Sequence, residues 1–354
     1  MRESSTGDSE VGQLKPGDRF GDCTVERLLG QGSMGSVYLV RASDGAQYAL
    51  KVMDPELARK DPTYKERFLH EAVFAMKIRH RNLISVHDAG EESERGFCYI
   101  LMDYMPGGTV KDLVRKKGAL PISQAIQIAT QVAVAMEVAH VHGIIHRDIK
   151  PDNIMFDEDG TPKLADLGVA RFAGDARMTQ LGMIIGTPAY MAPEQMIDSH
   201  HIDARADIYS LGLVLYEMLA GKSPNVGSTV MGLLAKSIKG EPLPDVRTLR
   251  PEVSAAVAYV LSLMLAPKVE NRPSTSRATA DLLTRAAAGS LLMPEPHAHE
   301  DKPAEVPPAR GRWWKRPLFL ILLVTSALLC GFMAAWWICS AQRGASAAEE
   351  GEAR

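Results

Sequence analysis

The eight residues His146-Arg147-Asp148-Ile149-Lys150-Pro151-Asp152-Asn153 set a carboxylate, an ammonium and an amide close together between two apolar stretches. Upstream, Ile126, Ile128, Ala129, Val132, Ala133, Met136 and Val138 recur at helical spacing, which predicts a helix over 124–141. Downstream, Asn153-Ile154-Met155-Phe156 and Lys163-Leu164-Ala165 flank the polar, glycine-ended Asp157-Glu158-Asp159-Gly160, the pattern of a short hairpin. The octet is therefore a loop held between scaffold elements, where groups that do chemistry are usually carried. A carboxylate, an ammonium and an amide within eight residues supply a candidate base, a cation and a metal-seeking oxygen.

Earlier in the chain, residues 1–17 are rich in Ser, Gly, Asp and Glu and read as a disordered lead-in. The alternation over 20–29 predicts a strand, and Leu29-Gly30-Gln31-Gly32-Ser33-Met34-Gly35-Ser36-Val37 follows, a G-x-G-x-x-G-x-V pattern. That pattern alone also fits a dinucleotide-binding turn. Such a turn must open a helix, however, whereas Val37-Tyr38-Leu39-Val40 favours a second strand. A glycine hairpin can lay its amides close over phosphates because no Cβ blocks the approach. In Gln47-Tyr48-Ala49-Leu50-Lys51-Val52 a lysine inside an apolar strand calls for an anion. A helix is predicted over 64–78, with Phe68, Ala72, Ala75 and Met76 as its apolar stripe and Glu71 among them. Residues 99–108 read as a strand that ends in a turn.

These segments together resemble the eukaryotic-type Ser/Thr protein kinases, in particular the membrane-anchored bacterial ones, over about residues 20–287. The resemblance implies an α+β, two-lobed protein kinase fold: a β-rich small lobe over 18–104 and a helical large lobe over 105–287. It implies ATP as phosphoryl donor, Mg²⁺ (with Mn²⁺ as an alternative) and protein Ser/Thr hydroxyls as acceptors. By it, Asp148 accepts the substrate proton, Lys150 sits against the transferring group, and Asn153 and Asp166 hold metal. Lys51 binds the nucleotide phosphates and pairs with Glu71, and residues 29–37 cover the phosphates. Met102 is the gatekeeper, backbone groups over Asp103–Met105 contact adenine, and Val37, Ala49 and Met155 sandwich the purine.

Asp166-Leu167-Gly168 departs from the family's commoner form by carrying Leu in the middle. Residues 169–185 suit an activation loop, and Ala192-Pro193-Glu194 matches the segment that follows it in the family. Arg147 and Arg171 could converge on a phosphorylated Thr179, while Thr187 is expected to bond to Asp148 and Lys150. Asp207 is expected to brace the catalytic loop and Arg272 to pair with Glu194. The alternative to an enzyme is a catalytically dead scaffold, which would be free to lose Lys51, Asp148, Asn153 and Asp166. A small-molecule phosphotransferase is disfavoured by the activation loop and the Ala192-Pro193-Glu194 segment, which position peptide substrates in the resembled family.

After 287 the pattern changes. Residues 288–317 form a juxtamembrane linker rich in Pro, Glu, Ala and His. Leu318–Cys339 is 22 residues without a charge. At ~1.5 Å per residue it matches a ~30 Å hydrocarbon core and predicts a transmembrane helix. Arg310, Arg312, Lys315 and Arg316 precede it, so the positive-inside rule expects the kinase-like part in the cytoplasm and residues 340–354 as a short extracytoplasmic tail at the cell membrane. Ala327, Gly331 and Ala335 make a small-residue face that could pair two helices into a homodimer. The polar Met1–Glu10 carries no apolar core of a secretory signal. Four scattered cysteines without CxxC spacing argue against disulfides or zinc, and a net charge of −3 offers no bulk attraction to nucleic acid, so no nucleic-acid partner is expected.

Overall fold

Alternation in the first hundred residues sorts side chains onto the two faces of one sheet. The computed structural model describes residues 14–32, 35–60, 62–92, 96–167, 188–197, 202–225 and 227–292. In it β1 (Arg19–Phe20), β2 (Cys23–Gly32), β3 (Gly35–Ala42), β4 (Gln47–Met53), β5 (Val86–Glu92) and β6 (Phe97–Asp103) form an antiparallel sheet in the order β1-β2-β3-β4-β6-β5. Residues opposite one another across strands share a face. Val37 lies opposite Lys51 and Leu39 opposite Ala49, while Ala49 and Lys51 lie opposite Met102 and Ile100, so all six look the same way. Tyr38, Val40, Leu50 and Val52 take the other face and close with Phe20, Val25 and Phe97 into a cluster of their own.

The strand expected over 20–29 is broken at its start, because Gly21 turns the chain with φ 54° and β2 begins only at Cys23. After α1 (Pro55–Lys60), α2 (Pro62–Ala75) sets Phe68 and Ala72 against Met53, Cys98 and Ile100. This helix starts two residues before the expected 64, at a proline whose fixed φ suits a first turn, and stops short of 78. The chain tightens there: Lys77 N donates to Phe74 O at 3.0 Å and Ile78 N to Ala75 O at 3.2 Å.

The large lobe is helical. It holds α3 (Val110–Lys117), α4 (Ile122–Val141), the hairpin β7 (Ile154–Phe156) and β8 (Pro162–Leu164), α5 (Pro193–Ile197), α6 (Arg205–Ala220), α7 (Val230–Lys239), α8 (Ala255–Met264) and α9 (Ser276–Ala287). Thr109 and Asp112 close a reciprocal cap on α3. Helix α6 is apolar nearly all round and is buried accordingly, at the centre of a core shared with α4, α8 and α9. The expectation of a strand-rich small lobe joined to a helical large lobe is met.

Among the described residues two stretches of backbone join the lobes. One is the chain after Asp103. The other is the segment 82–84, which adds to β8: Leu164 N donates to Asn82 O at 2.8 Å, Ile84 N to Leu164 O at 3.0 Å, and Asn82 Nδ2 to Pro162 O at 2.8 Å. Among the described residues no helix is long and apolar enough to cross a membrane. The apolar run 318–339, with most of the linker and all of the tail, lies outside the described residues.

Candidate active site

The loop between α4 and β7 is held from below by one carboxylate. Asp207, fully buried near the start of α6, accepts the amide of His146 at 2.8 Å and that of Arg147 at 2.7 Å, and His140 Nε2 lies 2.8 Å from its Oδ2. A buried charge needs such a full set of donors. His140 in turn meets Ser276 Oγ at 3.1 Å, which links the loop to the start of α9. The anchoring sustains an unfavourable backbone, since Arg147 has φ 63°, a left-handed conformation that costs a non-glycine residue about 1–2 kcal/mol. Arg147 O also accepts from Gln195 Nε2 at 3.1 Å, and burial lowers the pKa of its guanidinium despite the Asp207 charge.

Above this anchor the octet's polar groups converge. Lys150 Nζ donates to Asp148 Oδ2 at 2.8 Å, while Asn153 Nδ2 donates to Asp148 O at 2.8 Å and to Oδ2 at 3.2 Å. Asn153 is buried and its amide nitrogen is so occupied, yet no donor among the described residues reaches its Oδ1. His146, also buried, uses Nε2–H to bond Ala165 O at 2.7 Å and takes the Asp148 amide on Nδ1 at 3.3 Å. It thereby ties this loop to the next residue, Asp166, which is itself left-handed at φ 55°.

Asp166 faces the small lobe. Lys51 Nζ reaches its Oδ1 at 2.8 Å, although 40% of the Asp166 side chain still opens to the cleft. Burial pushes this carboxyl up, but the Lys51 ammonium, helped by Lys150, outweighs it and holds Asp166 below the usual carboxylate range. Neighbouring Leu167 is buried in the large-lobe core, so the substitution at the middle of Asp166-Leu167-Gly168 fills an apolar site.

The cleft also has a flat apolar slot. Met105, Ile84 and Ala165 form a buried cluster to which Met102 and Met155 pack, and Ala49 stands opposite Met102. Met105, buried, has a backbone N–H and C=O that form no hydrogen bond among the described residues, as an edge that recognises a planar heterocycle requires. Over the slot, β2 and β3 pair Gly30 with Val37, Gln31 with Ser36 and Gly32 with Gly35, and Leu29 falls at a bulge. The glycines differ: a Cβ on Gly35 would come within 2.0 Å of Val52 O, so that position is closed by the fold, whereas on Gly30 or Gly32 it would meet no atom within 4 Å among the described residues.

Two hard oxygens, Asn153 Oδ1 and Asp166 Oδ2, are thus without a donor among the described residues, which fits a divalent cation shared with substrate phosphates. Among those residues no cluster of three His, Cys, Asp or Glu exists to build an all-protein cage.

On the far side of the loop, Arg272 is buried and grips Glu194 through both nitrogens at 2.6 and 2.8 Å. It also donates to the carbonyls of Ala266, Arg205 and Pro267 and lies 4.8 Å from the Tyr209 ring. The expected pairing of Arg272 with Glu194 and bracing by Asp207 are both present. Ser33, Met34, Gly168, Arg171, Thr179 and Thr187 lie outside the described residues, as does the side chain of Glu71, whose backbone sits in α2. His140, Gln195 and Ser276 escape a sequence reading: each is a single polar residue without periodicity, and only the fold shows what it touches.

A family model for the protein kinase domain matches residues 23–283. The chain is 38% identical over 253 residues to the serine/threonine-protein kinase PknB of Mycobacterium leprae, covering 70% of this chain and 40% of that protein. It is 36% identical over 301 residues to the DNA damage-responsive serine/threonine-protein kinase RqkA of Deinococcus radiodurans, covering 81% and 44% respectively. It therefore spans less than half the length of these relatives. Among solved structures, the kinase domain of Mycobacterium tuberculosis PknI is similar at 31% identity with a TM-score of 0.62, covering 78% of this chain and all (100%) of that one.

Proposed function

The chain belongs to the protein kinase domain family, and from that premise we propose that it transfers the γ-phosphoryl group of ATP to Ser or Thr hydroxyls of protein substrates. The observation that carries this reading is the convergence of Lys150 and Asn153 on Asp148 at 2.8 and 3.2 Å, on a loop whose backbone Asp207 fixes. Asp148 orients the acceptor hydroxyl and takes its proton. Lys150, beside it, offers positive charge where the transferring group passes, and Lys51 can exchange Asp166 for the nucleotide phosphates. Asn153 and Asp166 would hold Mg²⁺, which when bound neutralises charge on the phosphate oxygens. The slot of Met102, Met105, Met155, Val37 and Ala49 takes adenine, and the glycine hairpin covers the phosphates.

The reading extends to the membrane. Residues 318–339 act as a single span, with the kinase domain held on the side of Arg310, Arg312, Lys315 and Arg316 and with self-association through Ala327, Gly331 and Ala335. Thr179 is the proposed autophosphorylation site. The test uses the full chain in detergent with labelled ATP and Mg²⁺: phosphate should appear on Ser or Thr and vanish in Asp148→Asn. Nucleotide binding without transfer would instead establish the scaffold. For the anchor, alkaline carbonate should leave the full chain in the membrane pellet, and release into the supernatant would refute the span.

A further inference from the structure

A cavity of about 350 Å³ lies in the large lobe and shares no residue with the cleft. That volume falls at the lower end of the range for small-molecule sites. Pro242, Leu243 and Pro244 line one side, and Ala258, Leu261 and Leu265 line the other, so the walls are apolar. Asp245 and Arg247 mark the open side, with 41% and 46% of their side chains exposed. Their charges answer each other: Arg247 Nε and Nη2 donate to Asp245 Oδ2 at 3.0 and 2.6 Å, and the Arg247 amide donates to Oδ1 at 2.8 Å. Tyr216, on α6, lines the closed side and is only 1% exposed. Its hydroxyl has no hydrogen-bond partner among the described residues. Other tyrosines of the chain are satisfied: Tyr38 Oη takes the Leu14 amide at 3.2 Å, and Tyr99 Oη donates to Asp88 at 2.7 Å. Buried polar groups are nearly always paired, and an orphaned hydroxyl costs free energy that a phenylalanine would not.

We propose that this cavity binds a small uncharged molecule with an apolar body and a hydroxyl head, the head accepting a hydrogen bond from Tyr216 Oη and donating one to the Asp245 carboxylate. The walls offer nothing to a polar body, which would lose its hydration without return. An anionic head would meet Asp245, and a cationic one would have to displace Arg247 from a charge-assisted fork. A neutral head is left. Burial first, and then the Asp245 charge, push the Tyr216 pKa up, so the phenol keeps its proton and acts as a donor at neutral pH. Three donor groups of Arg247 occupy a carboxylate with about four lone-pair sites, so Asp245 can accept once more. A hydroxyl is the neutral group that both accepts and donates through one atom, which is what these two residues ask for.

The probe is para-(trifluoromethyl)phenol, titrated against the full chain in lipid nanodiscs and followed by fluorine NMR, with empty nanodiscs as the blank. Saturable binding to the wild type is expected. Tyr216→Phe removes only the oxygen and should weaken binding about fivefold, the size of one neutral hydrogen bond. The methyl ether of the probe cannot donate to Asp245, and it should bind the wild type about fivefold more weakly than the phenol does. Without any probe, Tyr216→Phe should melt no earlier than the wild type, because the hydroxyl it lacks has no partner inside the protein. Earlier melting would reveal such a partner and overturn the proposal. Absence of saturable binding overturns it as well, as does equal binding of the phenol by wild type and Tyr216→Phe, or equal binding of phenol and ether by the wild type. None of these outcomes depends on phosphoryl transfer, so the kinase reading stands or falls separately.

Discussion

Replacing Asp207 by Asn tests whether the anchor under the catalytic loop serves the chemistry or only the fold. The carboxylate takes three donors: Arg147 N at 2.7 Å on one oxygen, and His146 N and His140 Nε2, each at 2.8 Å, on the other. An amide oriented to keep the last two bonds points its NH₂ at the Arg147 amide, donor against donor. The loss is one charge-assisted bond, about 1.5–3 kcal/mol, plus about 1–3 kcal/mol for a buried N–H left unsatisfied. Arg147 at φ 63° then has less to hold it, and relaxation there moves Asp148, one residue on. A shift of about 1 Å at a reacting group costs about a hundredfold in rate. The expected result is kcat lowered about a hundredfold at saturating ATP and peptide, with ATP affinity changed less than about twofold, since the slot lies elsewhere. A variant that melts earlier yet keeps a kcat within about threefold of wild type refutes the reasoning.

Three further outcomes follow from the geometry. Arg272→Ala leaves Glu194 and three carbonyls without their donor, so chemical denaturation should show a loss of about 3–5 kcal/mol, and Arg272→Lys should restore little because an ammonium cannot fork onto a carboxylate. Lys51 holds Asp166 below its ordinary range, and a depressed carboxyl contributes stability above its unfolded pKa that disappears as pH falls through the folded value; the wild type should therefore exceed Lys51→Met in melting temperature at neutral pH, with the gap closing below about pH 4, and a gap constant with pH would refute this. Gly35→Ala should unfold the small lobe's hairpin by forcing a Cβ onto Val52 O, whereas Gly30→Ala should keep its melting temperature and lose ATP affinity, as thermal shift with and without nucleotide would reveal.

The residues that meet in the cleft were legible in the sequence to different depths. The octet announces itself because its polar groups are close in the chain, and the sheet because Val37 to Val40 and Ala49 to Val52 place apolar groups on both faces. Glu194 and Arg272, 78 residues apart, could be joined only through the family resemblance. His140 could not be assigned at all, because a histidine near the end of an apolar helix reads the same whether it faces water or a buried Asp207. The cavity at Tyr216 was hidden for another reason: it depends on how α6, α8 and the loop 242–247 come together, which no local pattern encodes.

The central claim is that Asp148, with Lys150 and Asn153 on it, does phosphoryl transfer. Incubating the full chain and its Asp148→Asn variant with labelled ATP, Mg²⁺ and a Ser/Thr-containing protein, then locating the label by mass spectrometry, tests it directly. The account predicts label on Ser or Thr with the wild type, none above background with the variant, and ATP binding retained by both. Equal labelling by the two proteins would contradict it.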